Sequence, residues 1–219
     1  MTSIYSNLAI IIPAYNEAST LQQVISTVSV YGIPIVVDDG SSDHTKPIAI
    51  DCGAIVVSFQ QNLGYDNAIA AGIEKAIEQK FDYAITFDAD GQHKASKIKE
   101  IFEKLETSSD LVIGVRTRFQ RPAEFIFANL SKLLWDISDP LSGMKGYRLS
   151  KLKPLPFLKS YNSIGTELSI RAVRSGWKVD EVFIDTSPRP NSSRFGSGFY
   201  PNLRILKAMI LGLLLAKST

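Results

Sequence analysis

The sequence predicts an α/β protein in which helices flank a mostly parallel central sheet. Two observations support this fold class: short continuous apolar runs alternate with segments of helical spacing, and this alternation continues along most of the chain. Continuous apolar runs are typical of parallel strands that are buried on both faces. The 219 residues, 45% of them hydrophobic and 21% charged, suit one globular domain with a sizeable core.

The first strand is predicted over residues 8–12, an apolar run that Pro13 ends. The first helix follows over 19–30, where apolar residues recur three or four positions apart. By the same reasoning, the later strands are predicted over 33–37, 54–58, 83–87 and 111–114. The later helices are predicted over 67–79, 94–105 and 166–174. This order, without internal repeats or low-complexity linkers, indicates a parallel sheet in a single domain.

Three of the predicted strands end in unusual polar residues, at 13–17, 38–43 and 88–93. In parallel α/β sheets, ligands bind beyond the carboxyl ends of the strands. The shared position of these three segments therefore predicts a binding site at that edge of the sheet.

Asp88 and Asp90 follow a predicted strand one residue apart, and Gln92 comes two residues later. Two carboxylates this close repel each other and raise one pKa, a cost that a divalent cation removes. The alternative is a turn in which Asp88 or Asp90 caps the helix that follows.

Several function classes are excluded by motifs that the chain lacks. Neither a GxGxxG nor a GxxxxGK[ST] loop is present, which argues against Rossmann dehydrogenases and P-loop NTPases. Cys52 is the only cysteine, so no internal disulfide can form.

The apolar run 8–12 is too short for a signal peptide, and no run approaches the roughly 18–20 residues that span a bilayer. We expect a cytoplasmic protein, with peripheral membrane attachment as an option, and no nucleic-acid partner.

The net charge of +2 conceals an uneven distribution. Residues 1–139 carry 11 basic and 18 acidic side chains, a balance of −7, whereas residues 140–219 carry 13 and 4, a balance of +9. An acidic first part suits metal binding, and a basic second part suits a phosphate or a lipid surface. The alternative is ordinary surface variation.

Six motifs in order resemble family 2 glycosyltransferases of the GT-A fold, a single Rossmann-like domain. They are PAYNE at 13–17, VDDGSSDHT at 37–45, NLG at 62–64, DADGQH at 88–93, DPLSGMKGYR at 139–148 and PRPNSSRF at 188–195. Within that family the chain looks most like the branch of dolichol-phosphate mannose synthase and bacterial polyprenyl-phosphate glycosyltransferases. The resemblance covers about residues 8–196, and we expect the GT-A domain over 1–198.

The resemblance implies roles on the donor side. The residues expected to bind the nucleotide-sugar are Pro13, Tyr15, Glu17, Asp39, Asp88 and Asp90. Those expected to hold the metal are Asp88, Asp90 and Gln92, with His93 in support, and their donor atoms suit Mg²⁺ or Mn²⁺. We expect Asp38 to cap backbone amides instead. The segment 65–67 departs from the Lys-Gly pair that is common in the family, and no substrate follows from that change.

The acceptor decides the subclass. A phosphate monoester is largely dianionic at neutral pH and needs cations, whereas a sugar hydroxyl needs a general base. The residues expected to bind an acceptor phosphate are Arg116, Arg118, Lys145, Arg148 and Arg194. Lys145 stands where the family often has Arg, and it loses bidentate geometry. The expected catalytic residues are Asp90, Asp139, Glu167, Arg116 and Lys145. Asp139 and Glu167 are candidate bases, although Glu167 also suits the amino end of a helix.

The resemblance implies an inverting, metal-dependent transfer of sugar from a nucleotide-sugar to a polyprenyl phosphate. The alternatives are transfer to a sugar hydroxyl in a cell-surface polysaccharide, a metal-dependent nucleotidyltransferase, and a non-catalytic binding module.

Residues 199–219 form a further segment, which is predicted to be an amphipathic helix suited to a membrane surface. Its alternatives are packing on the domain, an interface in a homo-oligomer, and the start of a longer hydrophobic region.

Overall fold

The computed structural model describes residues 3–119, 121–152, 163–185, 205–207 and 209–210. Within them, the strands are β1 Leu8–Ala14, β2 Ile33–Asp38, β3 Ile55–Ser58, β4 Tyr83–Thr86, β5 Leu111–Arg116, β6 Lys145–Arg148 and β7 Val179–Ile184. The helices are α1 Leu21–Val28, α2 Thr45–Asp51, α3 Tyr65–Glu78, α4 Lys97–Thr107, α5 Pro122–Trp135, α6 Leu149–Leu152 and α7 Ile164–Arg174.

The seven strands form one sheet in the order β3-β2-β1-β4-β6-β5-β7. All paired neighbours are parallel except β6, which runs antiparallel to both β4 and β5. Because β6 is reversed, its first residue, Lys145, lies at the carboxyl ends of β4 and β5. Its last residue, Arg148, pairs with Tyr83 at the amino end of β4. The predicted mostly parallel sheet is confirmed.

Two apolar layers cover the faces of this sheet, because successive side chains of a buried strand point to opposite faces. In β1, Ile10 and Ile12 belong to the first layer, which α1, α2 and α4 complete. Ala9 and Ile11 belong to the second layer, which α3, α5 and α7 complete.

The strands and helices predicted between residues 8 and 174 are all present, with ends shifted by up to a few residues. The elements that the sequence did not predict are α2, α5, α6, β6 and β7. The strand β6 carries no apolar run, since it reads Lys-Gly-Tyr-Arg. In α5 apolar residues occur on the buried and the exposed sides, so no single stripe marks it.

Most of the predicted carboxyl-terminal helix lies outside the described residues. Residues 205–207 and 209–210 are helical, and Ile205 and Met209 are partly buried against the second layer. In the described part of the chain, no helix combines the length and the hydrophobicity that crossing a bilayer requires.

Candidate active site

The predicted site lies at the carboxyl ends of β1, β2, β4 and β5. The reversed β6 adds a further segment to this edge, because residues 139–144 lead into its first residue. The amino ends of α3 and α7 border the same region.

The loops that follow β1 and β2 are joined by backbone-to-side-chain hydrogen bonds. The Asn16 amide donates to Ser41 Oγ at 2.9 Å, and the Glu17 amide donates to Thr45 Oγ1 at 2.8 Å. Asn16 has a φ of 52°, which lets the chain turn sharply after the strand. Pro13 lies buried within β1, Glu17 is buried, and Tyr15 is partly exposed, so these donor-side residues lie in one loop pair.

Asp38 and Asp39, at the end of β2, serve different partners. Asp38 accepts hydrogen bonds from the Ser41 amide at 3.1 Å and from Ser58 Oγ at 3.0 Å, which is the capping role expected for it. Asp39 accepts one from the Leu63 amide at 2.7 Å and one from the Gly64 amide at 2.9 Å. Burial raises the pKa of Asp39, and the two amides act against that shift.

Gly40 makes this turn possible. Its φ is 71°, and a Cβ at this position would lie 2.7 Å from Gln61 Cα. A larger residue would push away the 61–64 segment that Asp39 binds.

Asp88 and Asp90 follow β4 in different environments. Asp88 accepts a hydrogen bond from the Tyr65 hydroxyl at 3.2 Å, and its other oxygen lies 3.0 Å from His93 Nε2. Asp90 is buried and accepts the Gln92 amide at 3.0 Å. Burial acts to lower the pKa of His93. The hydrogen bond to Asp88 and the nearby carboxylate charges outweigh burial, so the pKa of His93 is raised above its ordinary value.

The two carboxylates fit a hard divalent cation only in part. Among the residues that the structure describes, no three His, Cys, Asp or Glu side chains converge to hold a metal. Mg²⁺ is commonly held by one or two carboxylates together with substrate phosphates. Asp88 and Asp90 therefore fit Mg²⁺ or Mn²⁺ when a diphosphate supplies further oxygens. The Gln92 amide bond to Asp90 closes a local turn, but α4 begins only at Lys97, so this bond does not cap the helix as the alternative required.

Tyr65 and Asp66 give structural roles to the segment that departs from the family pattern. Tyr65 binds Asp88, and Asp66 accepts the Ile164 amide at 2.6 Å, at the start of α7. Burial raises the pKa of Asp66. Sequence reasoning missed both roles, because each partner is distant in the chain.

Gly143 brings the 139–144 segment against the metal motif. A Cβ at Gly143 would lie 2.6 Å from Asp88 Oδ2, and the Gly143 carbonyl accepts Thr86 Oγ1 at 2.6 Å. The segment expected to serve the acceptor thus contacts the donor-side carboxylate directly.

Arg116 and Asp139 form a buried bidentate ion pair. Arg116 Nε donates to Asp139 Oδ2 at 2.7 Å, and Nη2 donates to Oδ1 at 3.0 Å. Glu124 lies 3.4 Å from Arg116 Nη1. Burial acts to lower the pKa of Arg116. The hydrogen bond and the charge of Asp139 outweigh burial, so the pKa of Arg116 is raised above its ordinary value.

Lys145 is placed differently from what the sequence suggested. Its side chain is inside the domain with 2% of its surface exposed, where Nζ donates to the Pro140 carbonyl at 3.1 Å and to the Ser142 carbonyl. Burial lowers its pKa to about 8. Lys145 therefore supports the 139–144 segment from within and presents no exposed ammonium in this conformation.

Glu167 is buried near the start of α7 and is paired with Arg171. Arg171 Nε donates to Glu167 Oε1 at 3.0 Å, and Nη2 of the same guanidinium lies 2.9 Å from this oxygen. Both candidate bases, Asp139 and Glu167, are therefore paired with arginine.

The expectation for Arg148 is wrong, because the reversed β6 carries it to the opposite edge of the sheet. There it donates to the Tyr83 hydroxyl at 3.1 Å, and its Nε lies 3.4 Å from Asp110. Arg118 is exposed just beyond β5 at the site edge. Arg194 lies outside the described residues.

Comparison with known proteins agrees with this geometry. The profile described as Glycosyl transferase family 2 matches residues 9–156. UDP-N-acetylglucosamine–dolichyl-phosphate N-acetylglucosaminyltransferase of Methanococcus voltae is 27% identical, over 92% of this chain and 94% of that protein. Dolichyl-phosphate hexose transferase of Haloferax volcanii is 25% identical, over 87% of each protein.

A solved structure supports the fold. Glucosyl-3-phosphoglycerate synthase from Mycobacterium tuberculosis, in complex with Mn²⁺, UDP and phosphoglyceric acid, superposes with a TM-score of 0.75 at 23% identity. The superposition covers 94% of this chain and 78% of that one. The family profile spans more than half of this chain and includes every motif from β1 to β6. The chain belongs to glycosyl transferase family 2 and is a glycosyltransferase with the GT-A fold.

Proposed function

We propose that this enzyme transfers a sugar from a nucleotide-sugar to a polyprenyl phosphate, with inversion at the anomeric carbon and with a divalent metal. The observation that carries the choice of acceptor is the pairing of both candidate bases, Asp139 with Arg116 and Glu167 with Arg171. The oxygens of such a carboxylate already accept guanidinium hydrogen bonds, so fewer of its lone pairs remain to take a proton from an acceptor hydroxyl. A phosphate acceptor needs no such base. The names of the two archaeal relatives, both dolichyl-phosphate sugar transferases, support the same choice.

The donor is proposed to lie across the carboxyl ends of β1, β2 and β4. Tyr15 offers a ring to the base, the buried Asp39 offers a carboxylate to a base N–H, and Glu17 lies near the ribose. Pro13 and the Asn16 turn hold this loop in place. The diphosphate would then lie beside Asp88 and Asp90.

Asp88 and Asp90 would hold Mg²⁺ or Mn²⁺, with Gln92 in support, and the ion would neutralise charge on the departing nucleoside diphosphate. Asp88 is held in place for this purpose by Tyr65 and His93. In the reaction, an oxygen of the acceptor phosphate forms a bond to the anomeric carbon. The bond from that carbon to the diphosphate oxygen breaks, and its electron pair leaves with the nucleoside diphosphate. Attack from the face opposite the leaving group inverts the configuration.

The cations at the end of β5 are proposed to receive the acceptor phosphate. Arg116 is fixed by Asp139 and Glu124, and Arg118 is exposed two residues later. Lys145 contributes indirectly, by holding the 139–144 segment. We place the reaction at the cytoplasmic face of a membrane, where a lipid-linked phosphate and a soluble nucleotide-sugar meet.

The test is a transfer assay with purified protein, Mn²⁺, a panel of UDP-, GDP-, dTDP- and CMP-sugars and a polyprenyl phosphate. The expected product is a glycosylated lipid phosphate with release of a nucleoside diphosphate. Release of pyrophosphate would indicate a nucleotidyltransferase instead. Transfer to a sugar hydroxyl but not to the lipid phosphate would sink the proposed acceptor.

A further inference from the structure

The helix α5 exposes an apolar face that the proposed reaction does not use. Its exposed fractions are 60% for Phe125, 59% for Ile126, 81% for Leu133 and 47% for Leu134. These two pairs of positions are about two turns apart and therefore lie on one side of the helix. Another side, which includes Phe127 and Trp135, is buried in the second layer. The helix is thus fixed to the domain by one apolar face and presents another.

The neighbouring edge strand extends this face. In β7, Val182 and Ile184 point into the first layer, so Phe183 between them points to the side of the sheet that carries α5. Its exposed fraction is 68%. Two residues before it, Glu181 accepts the Ser138 amide at 2.6 Å, just after α5 ends. We call Phe125, Ile126, Leu133, Leu134 and Phe183 the α5 surface.

The described part of the tail repeats this arrangement. Ile205 and Met209 pack on the second layer, whereas the adjacent Leu206 and Ile210 are exposed. Two separate helical segments on one layer of the molecule therefore present apolar side chains outward.

The α5 surface is continuous with the acceptor edge of the site. The helix begins six residues after Arg116, and the residue that binds Arg116, Asp139, follows shortly after its end. Arg118 at this edge and Lys132 on α5 itself are exposed cations. The exposed anion at the end of α5, Asp136, is paired with Lys132 at 2.7 Å. An apolar face with cations at its margin is typical of helices that lie in the headgroup region of a bilayer.

We propose that the α5 surface docks this protein on an anionic lipid bilayer, with α5 lying in the membrane interface. The proposal rests on the proposed function for its purpose, since docking there would bring the site edge at Arg116 to a lipid-linked phosphate. The occupant is a bilayer because the apolar centre suits acyl chains and the cationic margin suits anionic headgroups.

The test is flotation of the whole chain with vesicles of phosphatidylcholine containing about a third phosphatidylglycerol, against pure phosphatidylcholine. Wild type is expected to bind the anionic vesicles more strongly, and to bind less as salt is raised. The variants Ile126→Glu and Leu133→Glu should each lower the partition constant at least about tenfold, because each removes one apolar side chain that the bilayer would bury.

A matched control separates docking from general stickiness. Ile50 is 55% exposed but lies on α2, over the first layer, so Ile50→Glu should leave the partition constant unchanged. Thermal unfolding checks that each variant folds, and Leu133, the most exposed of the set, is the safest substitution. Equal vesicle binding by wild type and Leu133→Glu would overturn the proposal. The proposal would also be overturned if light scattering showed that the wild-type protein is a dimer, that this dimer binds no vesicles, and that Leu133→Glu dissociates it.

A second readout separates this proposal from the proposed function. Transfer to a short, water-soluble isoprenoid phosphate should be unchanged in Leu133→Glu, whereas transfer to a long-chain lipid phosphate in vesicles should fall. If the wild-type protein binds vesicles but transfers sugar to neither phosphate, the proposed function is contradicted and the proposed docking surface is still supported.

Discussion

Asp139 and Arg116 are joined by three hydrogen bonds, two from the guanidinium and one from the Arg116 amide at 3.1 Å. We predict that Asp139→Asn lowers the free energy of unfolding by about 3 kcal/mol, because it leaves a buried guanidinium short of a counter-charge. It should also raise KM for the acceptor more than KM for the donor. Urea unfolding and steady-state kinetics measure the two effects.

The control for Asp139 is Asp136→Asn, which breaks an exposed pair with Lys132. It should change stability by less than about 0.5 kcal/mol. A hydroxyl-transferring enzyme would respond differently, since Asp139→Asn would then abolish kcat while both substrates still bound.

Replacing the metal carboxylate should separate binding from folding. Asp90→Asn is expected to abolish the Mn²⁺-dependent rise in melting temperature that a nucleoside diphosphate produces, because ligands that bind only the native state stabilise it. The control Asp82→Asn lies at the opposite end of β4 and should keep the rise. A full Mn²⁺-dependent shift in Asp90→Asn would refute the metal assignment.

Removing the Tyr65 hydroxyl should weaken binding of the nucleotide-sugar and change the stability of the fold little. Tyr65→Phe removes the hydroxyl that donates a hydrogen bond to Asp88, and one such hydrogen bond contributes about 1 kcal/mol. We expect about a fivefold rise in KM for the nucleotide-sugar. The control is Tyr5→Phe, because Tyr5 stacks on Phe102 away from the site. Equal kinetics in wild type and Tyr65→Phe would show that Asp88 is held in place without this bond.

Adding one methyl group at Gly143 should displace Asp88. The Cβ of Gly143→Ala would lie 2.6 Å from Asp88 Oδ2, closer than such atoms approach. Mn²⁺-dependent nucleotide binding, measured by calorimetry, should weaken at least about tenfold if the carboxylate moves by as little as an ångström. Gly165→Ala, whose Cβ would meet only the flexible end of Lys145 at 3.2 Å, should retain binding.

The pH dependence of stability should reveal the buried Lys145. Its pKa in the folded protein is about 8, while an unfolded lysine titrates near about 10.4. Between these values the unfolded chain binds a proton that the folded chain does not, so stability rises with pH. The unfolding free energy of wild type relative to Lys145→Met should therefore increase by the order of 3 kcal/mol from pH 8 to about 10.4. A flat difference would mean that Lys145 titrates normally.

The strands that are buried on both faces could be predicted from the sequence, because a short continuous apolar run such as 8–12 is typical of a buried parallel strand. The capping role of Asp38 and the position of Asp88 and Asp90 at the sheet edge could be predicted as well, since those features are local. The strand β6 could not, because it lacks an apolar run and is held by strands that lie far away in the chain.

The misplacement of Arg148 follows from that omission. Lys145 and Arg148 are the two ends of a four-residue strand, and only the antiparallel direction of β6 decides which of them meets the site. The burial of Lys145 and its bonds to two carbonyls depend equally on tertiary packing. A prediction made from charge alone therefore assigns both residues to the acceptor phosphate, although neither side chain is placed to bind it.

The two amides that Asp39 accepts have a consequence for the thermodynamics of donor binding. They fix the turn at 62–64, and with it the start of α3, before any nucleotide arrives. A carboxylate has about four acceptor positions, so the pair of amides leaves capacity for a base N–H. The loss of conformational entropy is therefore incurred when the chain folds and not again when the donor binds. We expect the base pocket to be preorganised, with affinity set by contacts to the nucleotide and not by the ordering of a loop.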